Sequence, residues 1–102
     1  MYKIIKKQVR PNTSVPFYSI ADEEFKAWLA ETYFKTGKML PPEVTVSEDG
    51  LELSTTVIFA SEEVAREWKY NPVVAEKLHA LQEAYCEANG ILLLPTITIG
   101  EI

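Results

Sequence analysis

The spacing of hydrophobic residues changes several times along the chain, and each change marks a predicted element. β-Forming residues interleaved with lysines predict a strand over residues 2–10, which Pro11 ends. Between Ser19 and Gly37 the apolar positions recur every three or four residues, which predicts an amphipathic helix with acidic residues in its first turn. The predicted inward stripe of this helix comprises Ala21, Phe25, Trp28, Leu29, Thr32 and Thr36.

A period of two follows and predicts a β-hairpin. Val44 and Val46 alternate with polar residues, and a second arm with alternating apolar residues extends from Leu51 to Phe59. The turn between the arms contains Asp49-Gly50, and Asp-Gly between alternating segments is among the strongest short-range signals for a hairpin. We therefore expect two adjacent antiparallel strands here.

The second half of the chain begins with a helical pattern that is interrupted at Asn71-Pro72. Asparagine caps helices and proline suits the first helical position, so this pair predicts a break between a short helix capped by Ser61 and a long one that ends at Asn89-Gly90. The predicted inward stripe of the long helix comprises Val74, Leu78, Leu81 and Tyr85. Residues 91–99 predict a last strand, and Pro95, which cannot donate a ladder hydrogen bond, places it at an edge of the sheet.

The order strand, helix, strand, strand, helix, strand is the ferredoxin-like β-α-β-β-α-β arrangement. It predicts one α+β domain over residues 1–102, with a four-stranded antiparallel sheet, helices on one face and the second helix broken at Asn71-Pro72. The last strand is apolar on both sides and the first contains Ile4 and Ile5, so the open face of the sheet carries too few polar residues to face water alone. We therefore predict a homodimer in which a second copy covers part of this face.

Charge and composition restrict the classes of protein to which the chain can belong. Its hydrophobic fraction of 47% and charged fraction of 25% are those of an ordinary globular protein. The net charge of −5 does not favour nucleic acid, although the first ten residues contain four cations and no acid. The N-terminal residues lack the apolar region of a secretory signal, and no apolar run is long enough to cross a membrane. A single cysteine suits a reducing compartment, so the expected location is the cytoplasm.

The order of elements and one local pattern resemble a known superfamily. The stretch Phe59–Trp68, with the sequence FASEEVAREW, and the following Asn71-Pro72-Val73 resemble the dimeric α/β-barrel superfamily, which includes antibiotic-biosynthesis-type monooxygenases. The resemblance covers about the second half of the chain and brings no catalytic motif. It implies a pocket between sheet and helices that is lined by aromatic rings and needs no metal or flavin. The segments Thr45–Leu51 and Asn89–Ile91 also look like short proteins of marine phage genomes, a likeness that implies no activity.

Two groups of residues are candidate sites. Inward aromatic residues are predicted to belong to the core, and the resemblance makes four of them the candidate lining of a ligand pocket: Trp28, Tyr33, Trp68 and Tyr85. Phe34 falls opposite Phe25 on the first helix, so it either folds under the segment 39–42 or belongs to a surface for another chain. The candidate partner surface comprises Ala27, Ala30, Phe34, Leu92 and Leu94.

His79 is the only histidine, and it lies off the apolar stripe of its helix, on a flank predicted to face water. It shares that side with Glu83 and Cys86, but the sequence offers no further histidine or cysteine to complete a metal site. Cys86 lies two helical turns away, about 10 Å along the axis, which is too far for His79 to act as its base. No metal, cofactor or catalytic residue is therefore predicted.

Three classes of function remain open. The first is a non-catalytic homodimeric interaction or structural module, which the lack of clustered titratable groups favours. The second is a cofactor-free monooxygenase-like protein or small-ligand binder of the dimeric-barrel type, which requires an apolar pocket between helices and sheet. The third is a weak nucleic-acid binder that uses the basic first strand, against which the net charge argues. The sequence leaves open whether the chain is an enzyme, and the lack of a catalytic motif favours a non-catalytic role.

Overall fold

Two long strands pair along their whole length at the centre of the sheet. The computed structural model describes all 102 residues, and in it β1 (Tyr2–Val9) is antiparallel to the strand Glu52–Phe59. The strand Glu43–Val46, which we number β2, pairs with Glu52–Phe59, numbered β3, so the predicted hairpin is confirmed. Gly50 has φ +75° in the connecting turn, a left-handed conformation that glycine adopts without steric cost.

The last strand differs from the prediction because it is broken in two. Strands β4 (Leu92–Leu93) and β5 (Ile97–Glu101) both pair antiparallel with β1, and Pro95 lies in the interruption between them. Proline has no N–H to donate to the ladder, and three residues of the last strand lie here opposite two of β1. The α+β class and the antiparallel sheet are confirmed, but the sheet has five strands rather than four, with the order β2-β3-β1-β4 and β5 also on β1.

Side-chain caps begin each helix where the sequence places a suitable residue. Helix α1 (Glu23–Leu29) starts after Asp22, whose carboxylate accepts from the backbone N–H of Phe25 at 3.1 Å. Helix α2 (Glu62–Tyr70) starts after Ser61 in the same way. Helix α3 (Pro72–Val74) has the Asn71 side chain as its cap, which confirms the break at Asn71-Pro72. Helix α4 (Ala80–Asn89) ends at a left-handed glycine.

Two π-helical turns shift the faces that the helices present to the sheet. The turn Ala30–Phe34 continues α1, and the turn Ala75–His79 joins α3 to α4. A π turn closes i→i+5 hydrogen bonds, so the inward positions after it move by one residue. Phe25, Trp28, Leu29 and Val74 lie inward as predicted, whereas Ala21, Thr36 and Leu81 are exposed. Tyr33 rather than Thr32 is fully buried, and Cys86 is buried while Leu81 is 49% exposed.

A small core lies between the helices and one face of the sheet. Only 12 of the 102 residues are buried, so much of the apolar content of the chain is left outside the core. Phe34 is half-buried and packs against the core rather than standing free on the helix surface. The nine clustered core residues are Ile4, Phe25, Leu29, Tyr33, Met39, Val57, Phe59, Trp68 and Val74.

Candidate functional site

The structure brings three of the four candidate pocket residues together, in contact with one another. The ring of Tyr33 lies 5.8 Å from that of Trp28 and 5.1 Å from that of Trp68, between centroids, and both contacts are edge-to-face. These are the spacings of packed aromatic pairs, so the three rings pack on one another in or against the core. Asn71 donates a hydrogen bond of 3.3 Å to the Tyr33 hydroxyl, and burial raises the pKa of that hydroxyl.

Tyr85, the fourth candidate, lies apart from this cluster. Its hydroxyl donates a hydrogen bond of 2.7 Å to the backbone carbonyl of Pro16, and its ring lies 5.6 Å from that of Tyr18. These contacts fasten the connection between β1 and α1 onto α4. The connection is also held from the sheet, because Gln8 exchanges two hydrogen bonds with the backbone of Tyr18. Tyr85 therefore has a positioning role for this connection.

An open groove runs between the same connection and the long C-terminal helix. Its larger part has a volume of about 380 Å³, and an adjoining depression of about 190 Å³ reaches Trp28. The two share Asp22 and Lys77, and both are open to solvent. Because the Asp22 carboxylate caps α1, the polar wall of the groove is already engaged in holding the fold. The larger part is lined by Tyr18, Ser19, Ile20, Ala21, Asp22, Lys77 and Leu81.

The face of the sheet that the helices leave uncovered, called the open face below, is divided into two halves. Register places Leu92 opposite Val9 and Ile97 opposite Ile5, so the half formed by β1, β4 and β5 is apolar apart from Lys3 and Lys7. The half formed by β2 and β3 is polar apart from Ile58. The polar half contributes Glu43, Thr45, Glu52, Ser54 and Thr56.

Exposed apolar side chains are concentrated at the end of the chain. Thirteen large apolar residues are exposed, and six of them lie within residues 92–102. Leu92 is 63% exposed on the open face, and Leu94 is 39% exposed in the break of the last strand. The open face has two lysines and two glutamates and therefore no net charge, in a chain whose formal net charge is −5.

The candidate partner residues fall in two separate places. Ala27 is exposed and Ala30 is half-buried in the helical layer, where Phe34 packs on the core. Leu92 lies on the opposite side of the sheet. The helical and strand members therefore do not form one surface, and the strand members belong to the more apolar of the two.

His79 has surroundings that the sequence did not indicate. Its Nε2 is buried without a hydrogen-bond partner, and its ring meets that of Trp68 edge-on at 6.4 Å. Burial lowers the pKa of His79, the nearby Lys6 ammonium lowers it further, and Glu83 opposes both effects. The flank predicted to face water is turned inward because the π turn Ala75–His79 shifts the helix face.

Lys6 lies on the helix-facing side of β1, between Ile4 and Gln8. Burial lowers its pKa, and the positive charge of Lys69 lowers it further. No carboxylate pairs with Lys6, since the six ion pairs of the structure involve other side chains. The period of two in β1 could have revealed this placement, because Lys6 is in phase with Ile4.

Comparison of the chain with known protein families, with curated proteins and with solved structures finds no match. The likenesses to the dimeric α/β-barrel superfamily and to marine phage proteins therefore have only the sequence pattern behind them. The structure contains no helix with the length and apolar character that crossing a lipid bilayer requires. It also has no group of three or more histidine, cysteine, aspartate or glutamate side chains placed to hold a metal ion.

Proposed function

We propose that the chain is a homodimeric interaction module in which the apolar half of the open face binds the same half of a second copy. The observation that carries the proposal is the set of apolar residues at positions where a water-facing sheet has polar ones. An antiparallel sheet with one wet face alternates apolar and polar residues along its strands. The open-face positions in question are Ile5, Val9, Leu92 and Ile97.

A second copy of the chain suits this surface better than another partner. A two-fold axis through the apolar half places apolar residues against apolar residues and leaves the polar half in water. The contact half carries Lys3 and Lys7, and Glu52, at its border, pairs with Lys7 and so compensates one of these two charges. The face is therefore self-compatible in polarity.

The strand order supports a finer assignment of the fold. If β4 and β5 are taken as one strand interrupted at Pro95, the sheet reduces to four strands in the order 2-3-1-4, with the last strand at the edge beside the first. This is consistent with the proposed ferredoxin-like arrangement and with the resemblance to dimeric α/β-barrel proteins. Association through the face is also favoured over association through this edge, because a break and a bulge interrupt its ladder.

Binding of nucleic acid is less well supported. The lysines of β1 that made the first strand basic are divided between two faces, with Lys3 and Lys7 on the open face and Lys6 under the helices. The two on the open face are balanced by glutamates, and Lys7 is paired with Glu52 at 2.7 Å. A continuous cationic surface, which phosphate binding requires, is therefore lacking on this face.

Sedimentation equilibrium of the wild type and of single variants tests the proposal. At micromolar concentration we expect a mass of twice 11.6 kDa, and we expect Leu92→Lys and Ile97→Lys to shift the equilibrium towards the monomer. Val44→Lys is the matched control, since Val44 is 56% exposed on the opposite face of the same sheet. A monomeric wild type, or a dimer that only the control variant dissociates, would overturn the proposal.

A further inference from the structure

Strand β2 forms a free edge of the sheet and is exposed along its whole length. It lies at one end of the strand order, with β3 on one side and no strand on the other. All residues of Glu43–Val46 are exposed, so neither the helical layer nor a loop covers this edge. An uncovered edge strand presents backbone donors and acceptors with which another strand can pair.

The direction of the backbone groups along β2 follows from its hydrogen bonds. The N–H of Ser47 donates to the carbonyl of Glu52 on β3 at 2.9 Å. Successive residues of an antiparallel strand turn their N–H and C=O groups alternately to its two sides, so Thr45 also faces β3. Val44 and Val46 therefore direct their N–H and C=O groups to the free edge.

The side chains of this edge are apolar on one side of the sheet and acidic on the other. Val44 and Val46 are 56% and 52% exposed on the helix-facing side, in phase with the buried residues of β3. Glu43 lies on the open face, and both Glu43 and the nearby Glu48 are exposed and form no ion pair. Residues 39–51 contain no lysine or arginine, so the edge is negatively charged.

We propose that the free edge of β2 binds an extended, lysine- or arginine-containing segment of another protein as an additional strand. Val44 and Val46 exchange backbone hydrogen bonds with this segment, and their side chains contact apolar residues at its alternate positions. The intervening residues of the segment lie on the open face, where a cation opposite Glu43 meets a carboxylate. The partner therefore alternates apolar and basic residues.

A second copy of the chain suits this edge less well than a basic strand. Two β2 strands paired with each other would bring the glutamates of both copies together with no cation on either side, and like charges across a strand pair are destabilising. Pro41 and Pro42 precede β2 and keep the edge short, which also limits pairing between copies. The edge lies beyond β3, at the other end of the sheet from β4 and β5, so it is separate from the proposed dimer contact.

NMR titration of the isotopically labelled full chain with the blocked peptide Lys-Val-Lys-Val-Lys tests the proposal at constant ionic strength. We expect saturable changes of the backbone amide signals of Val44 and Val46, and slower exchange of both amides with deuterium. A peptide with glutamate in place of lysine should bind about tenfold more weakly, because it places like charges at the edge. The scrambled peptide Lys-Lys-Lys-Val-Val has the same charge and controls for general attraction to an acidic chain.

Variants of the edge separate strand pairing from charge attraction. Val44→Pro removes an N–H that faces the free edge and leaves the ladder to β3 intact, so we expect about fivefold weaker binding, the effect of one hydrogen bond. Val44→Thr keeps the N–H and the branched shape and should keep most of the affinity. Glu43→Lys should weaken binding of the lysine peptide about fivefold and strengthen that of the glutamate peptide. Leu92→Lys, which weakens the proposed dimer, leaves peptide binding unchanged.

Several outcomes would overturn the assignment of the edge. These are signal changes that do not saturate, that the scrambled peptide reproduces, or that persist fully in Val44→Pro. Changes at Val44 and Val46 that depend on protein concentration without peptide would show that a second copy occupies the edge instead. A peptide with N-methylated valines blocks the same hydrogen bonds without altering the chain, and circular dichroism verifies that each variant is folded.

Discussion

Lys7 lies on the open face of β1, where its Nζ is 2.7 Å from a carboxylate oxygen of Glu52, whereas the preceding Lys6 lies under the helices with no carboxylate partner. The two lysines are adjacent in sequence and belong to the same strand. The water-facing lysine is thus the one that is compensated, and the one in the interior layer is not. Because successive side chains of a strand point to opposite faces, neighbouring lysines of one basic segment lie in two different environments.

The ion pairing of the two lysines is the reverse of what stability alone favours. An exposed ion pair such as that of Lys7 contributes only about 0–1 kcal/mol, because water and salt screen it. A partly buried ammonium loses solvation, so a carboxylate partner would stabilise it far more than it stabilises an exposed one. Lys6 has no such partner. Departures from such a local rule concentrate at functional sites.

Replacement of each lysine by methionine gives the largest expected effect. Lys6→Met removes an uncompensated charge and keeps the aliphatic stem, so we expect the free energy of unfolding to rise by about 1–3 kcal/mol. Lys7→Met loses only an exposed pair, and we expect a decrease within ~1 kcal/mol. Urea denaturation of both variants at pH 7, at one protein concentration, measures the difference. Equal effects, or a destabilised Lys6→Met, would show that Lys6 has a partner that the structure does not contain.

The pH dependence of the free energy of unfolding tests the same comparison through His79, which lies in the helical layer. Burial and the Lys6 charge lower the pKa of His79 below 6.5, while Glu83 opposes them. The unfolded chain therefore binds a proton near pH 6.5 that the folded chain binds only at lower pH. Stability is fully retained above pH 6.5 and decreases as the pH falls through the folded value, with a slope of at most about 1.4 kcal/mol per pH unit.

Denaturation between pH 5.5 and 7 measures this slope, in a range where few carboxyl groups titrate. His79→Phe keeps an aromatic ring against Trp68 and should abolish the slope. Lys6→Met should reduce it, because one of the causes of the lowered pKa is removed. A slope that is the same in all three proteins would mean that another group is responsible.

The parts of the fold that follow local rules could be predicted from the sequence. The hairpin turn at Asp49-Gly50 and the cap at Asn71 lie where the residues indicate, because these features depend on a few adjacent side chains. The π turns could not be predicted, since their wider hydrogen bonding leaves no signature in the spacing before them. Each π turn shifts the helix face by one residue. The first turns Tyr33 fully into the core, and the second turns His79 towards Lys6. The orphaned imidazole therefore depends on tertiary packing that periodicity does not encode.

The break in the last strand gives the smallest expected change in stability and the sharpest structural test. Deletion of Pro95 leaves two residues opposite Lys6 and Lys7, so the register from Leu93 to Ile97 becomes continuous, with Thr96 beside Lys6. We expect the free energy of unfolding to change by less than ~1 kcal/mol, because the deletion removes a residue without an N–H and keeps the existing hydrogen bond from Leu94 to Lys7. A nuclear Overhauser contact between the α-protons of Lys6 and Thr96 should appear, because Lys6 directs its backbone groups to β3 and the new pair is therefore of the closely spaced, non-hydrogen-bonded kind.

Pro95→Ala is the control for this deletion, because it restores a donor and keeps the extra residue. If three residues against two cause the break, the α-proton contact between Lys6 and Thr96 is absent in Pro95→Ala as in the wild type. If the missing N–H of proline causes it, β4 and β5 join in Pro95→Ala as well. In both cases joining the strands tests whether the opening beside Lys6 is what distinguishes it from Lys7. If Lys6→Met stabilises the chain as much with a continuous strand as in the wild type, the inward position of Lys6 alone sets the two lysines apart.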